Sequence, residues 1–187
     1  MNRFLLAIVG LCALAAGCSD SPTGPSDGTR STTTFTVPLS PANEVPAITN
    51  ADAGASGTAT IALTVTRDAS GHITSASADF QIAVAGFPVG TTVTDAHVHS
   101  APAGANGGVS INTTLTSGEL AVTNGSGSIT KNGINVPADR AAAILNNPAG
   151  HYFNVHTALN PDGAVRGQLS AGTTVSDPGL LARFQAQ

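Results

Sequence analysis

Apolar and polar residues alternate along this chain with a period of two. In 57–66, Ala59, Ile61, Leu63 and Val65 interleave with Thr58, Thr60, Thr64 and Thr66, which predicts a strand with one row on a core and a threonine row toward solvent. Arg67-Asp68-Ala69-Ser70-Gly71 supplies a turn, and Ala76, Ala78, Phe80, Ile82 and Val84 form the next apolar row. The two segments are expected to pair as a hairpin. Further strands are predicted at 35–39, 92–99, 109–115, 119–123, 127–130, 152–158 and 164–169, the last preceded by the turn Asn160-Pro161-Asp162-Gly163. Many short strands separated by Gly and Asn turns describe an all-β sandwich or open barrel. One short helix interrupts them: Pro137 suits a first helical position, Ala138 to Leu145 follow, and Asn146-Asn147-Pro148 stops it. Its apolar residues Ala141, Ile144 and Leu145 suit a lid over one open end of the sandwich.

The ends of the chain follow other rules. Arg3 precedes an apolar run from Phe4 to Ala16 that is shorter than the about 20 residues needed to span a bilayer, so 1–17 is expected to be a secretory signal. Leu14-Ala15-Ala16-Gly17-Cys18 resembles a bacterial lipobox, with Ala15 where Leu is more usual. The resemblance implies export, acylation of Cys18 and attachment to a lipid membrane at the cell envelope, since two or more acyl chains anchor stably. Residues 18–33 are rich in Ser, Thr, Pro, Gly and Asp and are expected to be a flexible linker, and 34–171 the folded domain. The tail 172–187, with Leu180, Leu181 and Phe184, is expected to dock as a helical turn or to stay loose. No internal repeat is present.

Composition narrows the chemistry. Both cysteines, Cys12 and Cys18, lie in or at the end of the leader, so the mature domain has none for a disulfide and depends on packing alone. The formal charge is −4 including Arg3, and the six remaining basic residues are scattered, so nucleic acid is excluded as a partner.

Histidines carry the most specific signal. A strand through Thr94-Asp95-Ala96-His97-Val98-His99 points Thr94, Ala96 and Val98 to one face and Asp95, His97 and His99 to the other. Imidazoles at i and i+2 stand about 7 Å apart at their α-carbons, near enough to converge on one ion. In Tyr152-Phe153-Asn154-Val155-His156 the apolar parity belongs to Phe153 and Val155, which leaves His156 free as a third ligand. The set is expected to bring its ring nitrogens within about 4 Å of each other, each about 2 Å from a common point. An H-x-H pair also occurs without metal, held by Asp95, a backbone carbonyl or the Ser100-Ala101-Pro102 loop. His151 lies at the wrong parity if the strand starts there and can turn either way if it starts at Tyr152, and His72 beside a turn glycine is expected to be exposed. Ser100 lies beside His99, but no nucleophile elbow surrounds it, which argues against a hydrolase.

Asn43-Glu44-Val45-Pro46, Ala96-His97-Val98-His99 with Gly104 and Gly107-Gly108-Val109, and Tyr152 to Thr157 with Asn160 to Leu169 together resemble the CHRD (chordin-type) domain over about 35–169. That family resembles the immunoglobulin-like Greek-key barrel of copper/zinc superoxide dismutases, which implies that His97 and His99 correspond to a copper pair, with His156 as third ligand. The resemblance does not extend to the bridging and zinc positions or to the disulfide, so dismutation is not expected and no reaction is named. A non-catalytic, surface-accessible site for copper or zinc is expected, since imidazole suits both and the Irving–Williams order favours copper. The chordin connection implies, as the alternative, an adhesive module with a protein partner. Glu44 and Arg166 are expected to form a structural pair through a bidentate bridge, because a lone buried arginine is costly, and Gly167 is expected to permit a close backbone approach.

Overall fold

Threonine alternating with branched apolar residues builds the first sheet of the computed structural model, which describes residues 29–177. Strand β1 (Thr29–Leu39) pairs antiparallel with β2 (Ser56–Arg67), and β2 with β3 (Ile73–Ala85), as the expected hairpin. β6 (Gly127–Asn135) adds beyond β3 and β9 (Thr173–Asp177) beyond β1, giving the order β6-β3-β2-β1-β9. The second sheet has the order β5-β4-β7-β8, with β4 at Val93–Ser100, β5 at Val109–Asn112, β7 at His151–Thr157 and β8 at Val165–Gln168. The described residues form an all-β sandwich of two antiparallel sheets with one short α-helix, α1 (Ala138–Asn146).

Each sheet contributes its apolar row to one core. Ala59, Ile61, Leu63 and Val65 from β2, and Ala76, Ala78, Phe80, Ile82 and Val84 from β3, are buried against Ala96 and Val98 of β4 and Phe153 and Val155 of β7. Phe80 and Phe153 meet across the sheets with ring centroids 6.0 Å apart. Burial of apolar surface contributes roughly 25 cal/mol per Å², which makes this layer the main source of stability in a domain without disulfides. α1 inserts Ala141 and Ile144 into the same core and rests on β3.

The sheets meet where β1 runs out. Ser40 and Arg166 exchange backbone hydrogen bonds of 3.0 and 3.2 Å, so the chain just after β1 is bridged to β8. A β-carbon on Gly167 would lie 2.2 Å from the Pro38 carbonyl oxygen, so glycine is required for this approach, as expected.

Several boundaries differ from the sequence-based expectation, among them β5, which stops at Asn112 short of 115, and β6, which runs on to Asn135 past 130. β1 starts at Thr29, inside the 18–33 linker, because Thr29 to Thr33 pair with β2 although they offer no apolar row. The segment 172–187 is not wholly tail: Thr173–Asp177 is β9. Residues 119–123 form no strand; Glu119 accepts the Thr116 N–H and pairs with Lys131 while Leu120 reaches the core from a turn. The leader, Cys18, Leu180, Leu181 and Phe184 lie outside the described residues.

Candidate metal centre

β4 and β7 are hydrogen-bonded neighbours in a register that sets Asp95 opposite His156, His97 opposite Asn154 and His99 opposite Tyr152. With Ala96, Val98, Phe153 and Val155 committed to the core, the other parity of both strands shares the outer face of the second sheet. His97 and His156 are diagonal neighbours on that face, a separation that ring side chains span. The parity of β4 breaks at one place. Between Val93 and Asp95 the register slips by one residue, so Val93 rather than Thr94 fills the core. The bulge precedes the histidines and leaves their facing unchanged.

Contrary to the expectation of a surface-accessible site, the outer face is not open to solvent. The loops 101–108 and 158–163 lie over it, all of β7 is buried, and His99 and His156 are 9% and 7% exposed. His97 is the most accessible of the three, with a side chain 12% exposed beside Asp95 at 34%.

One ring nitrogen from each of His97, His99 and His156 lies within 4.8 Å of the others. The remaining nitrogens are all held by acceptors: His97 Nε2 by Asp95 Oδ2 at 3.1 Å, His99 Nδ1 by the Gly107 carbonyl at 2.9 Å, and His156 Nδ1 by the Pro161 carbonyl at 2.9 Å. Acceptors of this kind require N–H donors, which fixes the neutral tautomer of each ring. His97 Nδ1, His99 Nε2 and His156 Nε2 are then left as bare lone pairs. His97 Nδ1 and His156 Nε2 stand 3.2 Å apart, and His99 Nε2 is buried with no partner. With the tautomers so fixed, the 3.2 Å contact contains no proton and brings two acceptors face to face.

Electrostatics keeps the rings neutral. Burial lowers the pKa of all three histidines below the ordinary value of 6.5. For His97 the Asp95 carboxylate opposes this while the other two rings reinforce it, and for His99 the charge on Arg166 adds to the lowering. A neutral imidazole is the form that ligates a metal.

The donor set fits a cation at one end and must contract at the other. Ligands about 2.0–2.1 Å from a zinc ion in a tetrahedral arrangement are about 3.3 Å apart, close to the His97–His156 spacing. The set as a whole spans up to 4.8 Å, against the expected 4 Å and the about 4.2 Å that two such bonds can bridge, so it closes slightly when all three bind. Acceptors behind each ring match the outer hydrogen bonds that orient histidine ligands.

The model of the CHRD domain matches residues 35–169. The chain belongs to the CHRD domain family. No curated protein and no solved structure matches it. The CHRD match ends before β9 and begins within β1, so Thr29 to Thr34 and Thr173 to Asp177 extend the first sheet beyond the matched residues.

Other residues of the CHRD pattern divide between support and correction. Glu44 and Arg166 form no bidentate bridge. The Arg166 guanidinium donates instead to Asn106 Oδ1 and to the Pro102 and Ala105 carbonyls, and it lies 3.4 Å from the centroid of the Tyr152 ring. Three loop acceptors and an aromatic face satisfy the buried cation without a carboxylate. Glu44 is buried near Asn154, whose amide reaches its Oε2 only at 3.5 Å, and burial raises its pKa to about 7 despite the opposing charge of Arg166. His151 turns away from the site and donates to the Asn147 carbonyl, and His72 is exposed beside Asp68.

Sequence reasoning missed the supports of the site. Gly107, Pro161 and the Tyr152 ring, stacked on His99 at 4.8 Å and 6°, are visible only once the loops are in place. The Asn160-Pro161-Asp162-Gly163 turn was the available signal for one of them. It is pinned by buried Asp52, which accepts from Thr157 Oγ1 at 2.8 Å and Asn160 Nδ2 at 2.6 Å.

Proposed function

We propose that this CHRD domain is a non-catalytic metal-binding module that takes Cu(II) or Zn(II) through His97, His99 and His156, and that acylated Cys18 holds it at a bacterial cell envelope. The observation that carries the metal reading is the convergence of three lone pairs whose partner nitrogens are all committed to acceptors. An electron-pair acceptor resolves that arrangement, and a metal cation does so without charging the rings. His97 Nδ1, His99 Nε2 and His156 Nε2 would hold the ion, and Asp95 would balance part of its charge while orienting His97. The further position of a three-imidazole site would face the Asp95–His97 side, the less buried edge. Bound copper or zinc would supply Lewis acidity there. The resemblance to the superoxide dismutase barrel supports copper, as does the Irving–Williams order where copper is free.

The single tyrosine of a chain without tryptophan makes the test direct. Tyr152 stacks on His99, so Cu(II) is expected to quench tyrosine emission with one equivalent per chain, and Zn(II) to compete for the same equivalent. Because burial lowers the basicity of the ligands, uptake is expected to persist below pH 6.5 before protonation defeats it. A His97→Ala, His99→Ala double variant is expected to lose both responses. Unchanged uptake by that variant would refute the site.

A second reading rests on the outer face of the first sheet, where Thr32, Thr64 and Ser77 align across three strands and Thr36 pairs with Thr60. Such a hydroxyl-rich face suits an adhesive module with a protein partner, and adhesion through it would survive loss of the histidines.

A further inference from the structure

The three ligands do not share one support. His97 and His156 already stand at ligand spacing, held by Asp95 and by the Pro161 carbonyl. His99 depends on a different part of the chain. Its Nδ1 donates to the carbonyl of Gly107, and its ring lies flat on Tyr152. Both of these supports lead to Arg166.

The first route runs through the 101–108 loop. Arg166 Nη2 donates to the Pro102 carbonyl at 3.2 Å and the Ala105 carbonyl at 2.8 Å, and Nη1 donates to Asn106 Oδ1 at 3.1 Å. These bonds draw the loop inward just before Gly107. Gly107 in turn packs so closely on β4 that a β-carbon there would lie 2.1 Å from the Ser100 carbonyl oxygen. The second route runs through the rings. The guanidinium lies 3.4 Å from the Tyr152 centroid on one side, and His99 stacks on the same ring. The Tyr152 hydroxyl also accepts the Gly107 N–H at 3.3 Å, which joins the two routes.

We infer that Arg166, which contacts none of the ligand nitrogens, is the positioning residue that sets the third ligand of the site. This rests on the metal-binding reading above and adds to it a division of labour: a His97–His156 half that forms without Arg166, and a His99 arm that does not. The fork geometry matters here, because two carbonyls, one amide oxygen and an aromatic face are met by one planar group that lysine cannot replace. Buried Arg166, 1% exposed, thereby acquires a role that its position in a β-strand does not announce.

The test compares wild-type protein, Arg166→Gln and Asn106→Ala by Cu(II) titration and by the nitrogen superhyperfine pattern of bound Cu(II). Loss of an outer support of this kind costs about 10–100-fold in metal affinity. Arg166→Gln is therefore expected to bind Cu(II) about 10–100-fold more weakly and to show two coordinated nitrogens in place of three, approaching His99→Ala. Asn106→Ala alters an exposed loop residue that removes one Arg166 acceptor, and a smaller loss in the same direction is expected. Asn106→Ala decides the matter if Arg166→Gln does not fold. A variant that melts lower but keeps three nitrogens and wild-type affinity would show a merely structural arginine and overturn the inference while leaving the metal reading intact. Wild-type protein that takes up no Cu(II) would defeat both.

Discussion

Glu44 is 7% exposed, its Oε1 has no hydrogen-bond partner, and burial moves its pKa from 4.5 up to about 7. Its linkage to stability follows from the sign of that shift. A folded-state pKa above the unfolded one means that the native state binds more protons between pH 4.5 and 7, so the contribution is fully present below 4.5 and is lost as pH rises through 7. The three histidines act in the opposite sense: their folded pKa values lie below 6.5, so their contribution is lost as pH falls. Glu44→Gln removes the ionisable group and keeps its shape. The expected outcome is a melting temperature at pH 8 equal to or above wild type, with the difference disappearing near pH 4.5. A lower melting temperature at pH 8 would show that the ionised carboxylate stabilises the fold. At this scale the meeting of His97, His99 and His156 on one face was legible because strand parity depends only on sequence spacing. Of their acceptors Asp95 was legible by the same parity, but the other two were not, because they are backbone carbonyls of Gly107 and Pro161, and any residue type carries a carbonyl.

Strands with an apolar row were read correctly from periodicity, and those without one were not. β2, β3, β4 and β7 bury the residues their alternation names, apart from Thr94, which a bulge displaces. The first residues of β1 and all of β9 belong to the sheet by backbone pairing, which leaves no hydrophobic trace. The reverse error occurs at 119–123, where Leu120 is buried from a turn. Gly167 joins the elements: β8 can cross β1 only if residue 167 has no side chain, since a β-carbon would meet the Pro38 oxygen at 2.2 Å and Val37 Cγ1 at 2.6 Å. Gly167→Ala is expected to destabilise the domain by about 1–3 kcal/mol, the usual cost of overpacking. Urea unfolding measures it, and a variant of wild-type stability would mean that the sheets separate freely at this crossing.

Between Cys18 and the first strand stand residues 19–28, at most ten, which if fully extended reach roughly 33–36 Å at 3.3–3.6 Å each. If Cys18 is acylated, the domain is therefore confined close to the bilayer surface. Cys18→Ser is expected to move the protein from the membrane fraction to the soluble one with its melting temperature unchanged, and membrane retention of that variant would refute lipid anchoring. The rest of the molecule is organised around one asymmetry. The first sheet offers an outer face of hydroxyls, whereas the second covers its outer face with loops and sets three imidazoles beneath them.

X-ray absorption at the metal edge of the loaded wild-type domain tests the central claim most directly. A shell of three imidazole nitrogens at about 2.0 Å is expected for copper or zinc, with no metal edge above background in the His97→Ala, His99→Ala double variant. A shell of oxygen atoms alone, or a nitrogen count that the double variant leaves unchanged, would contradict it.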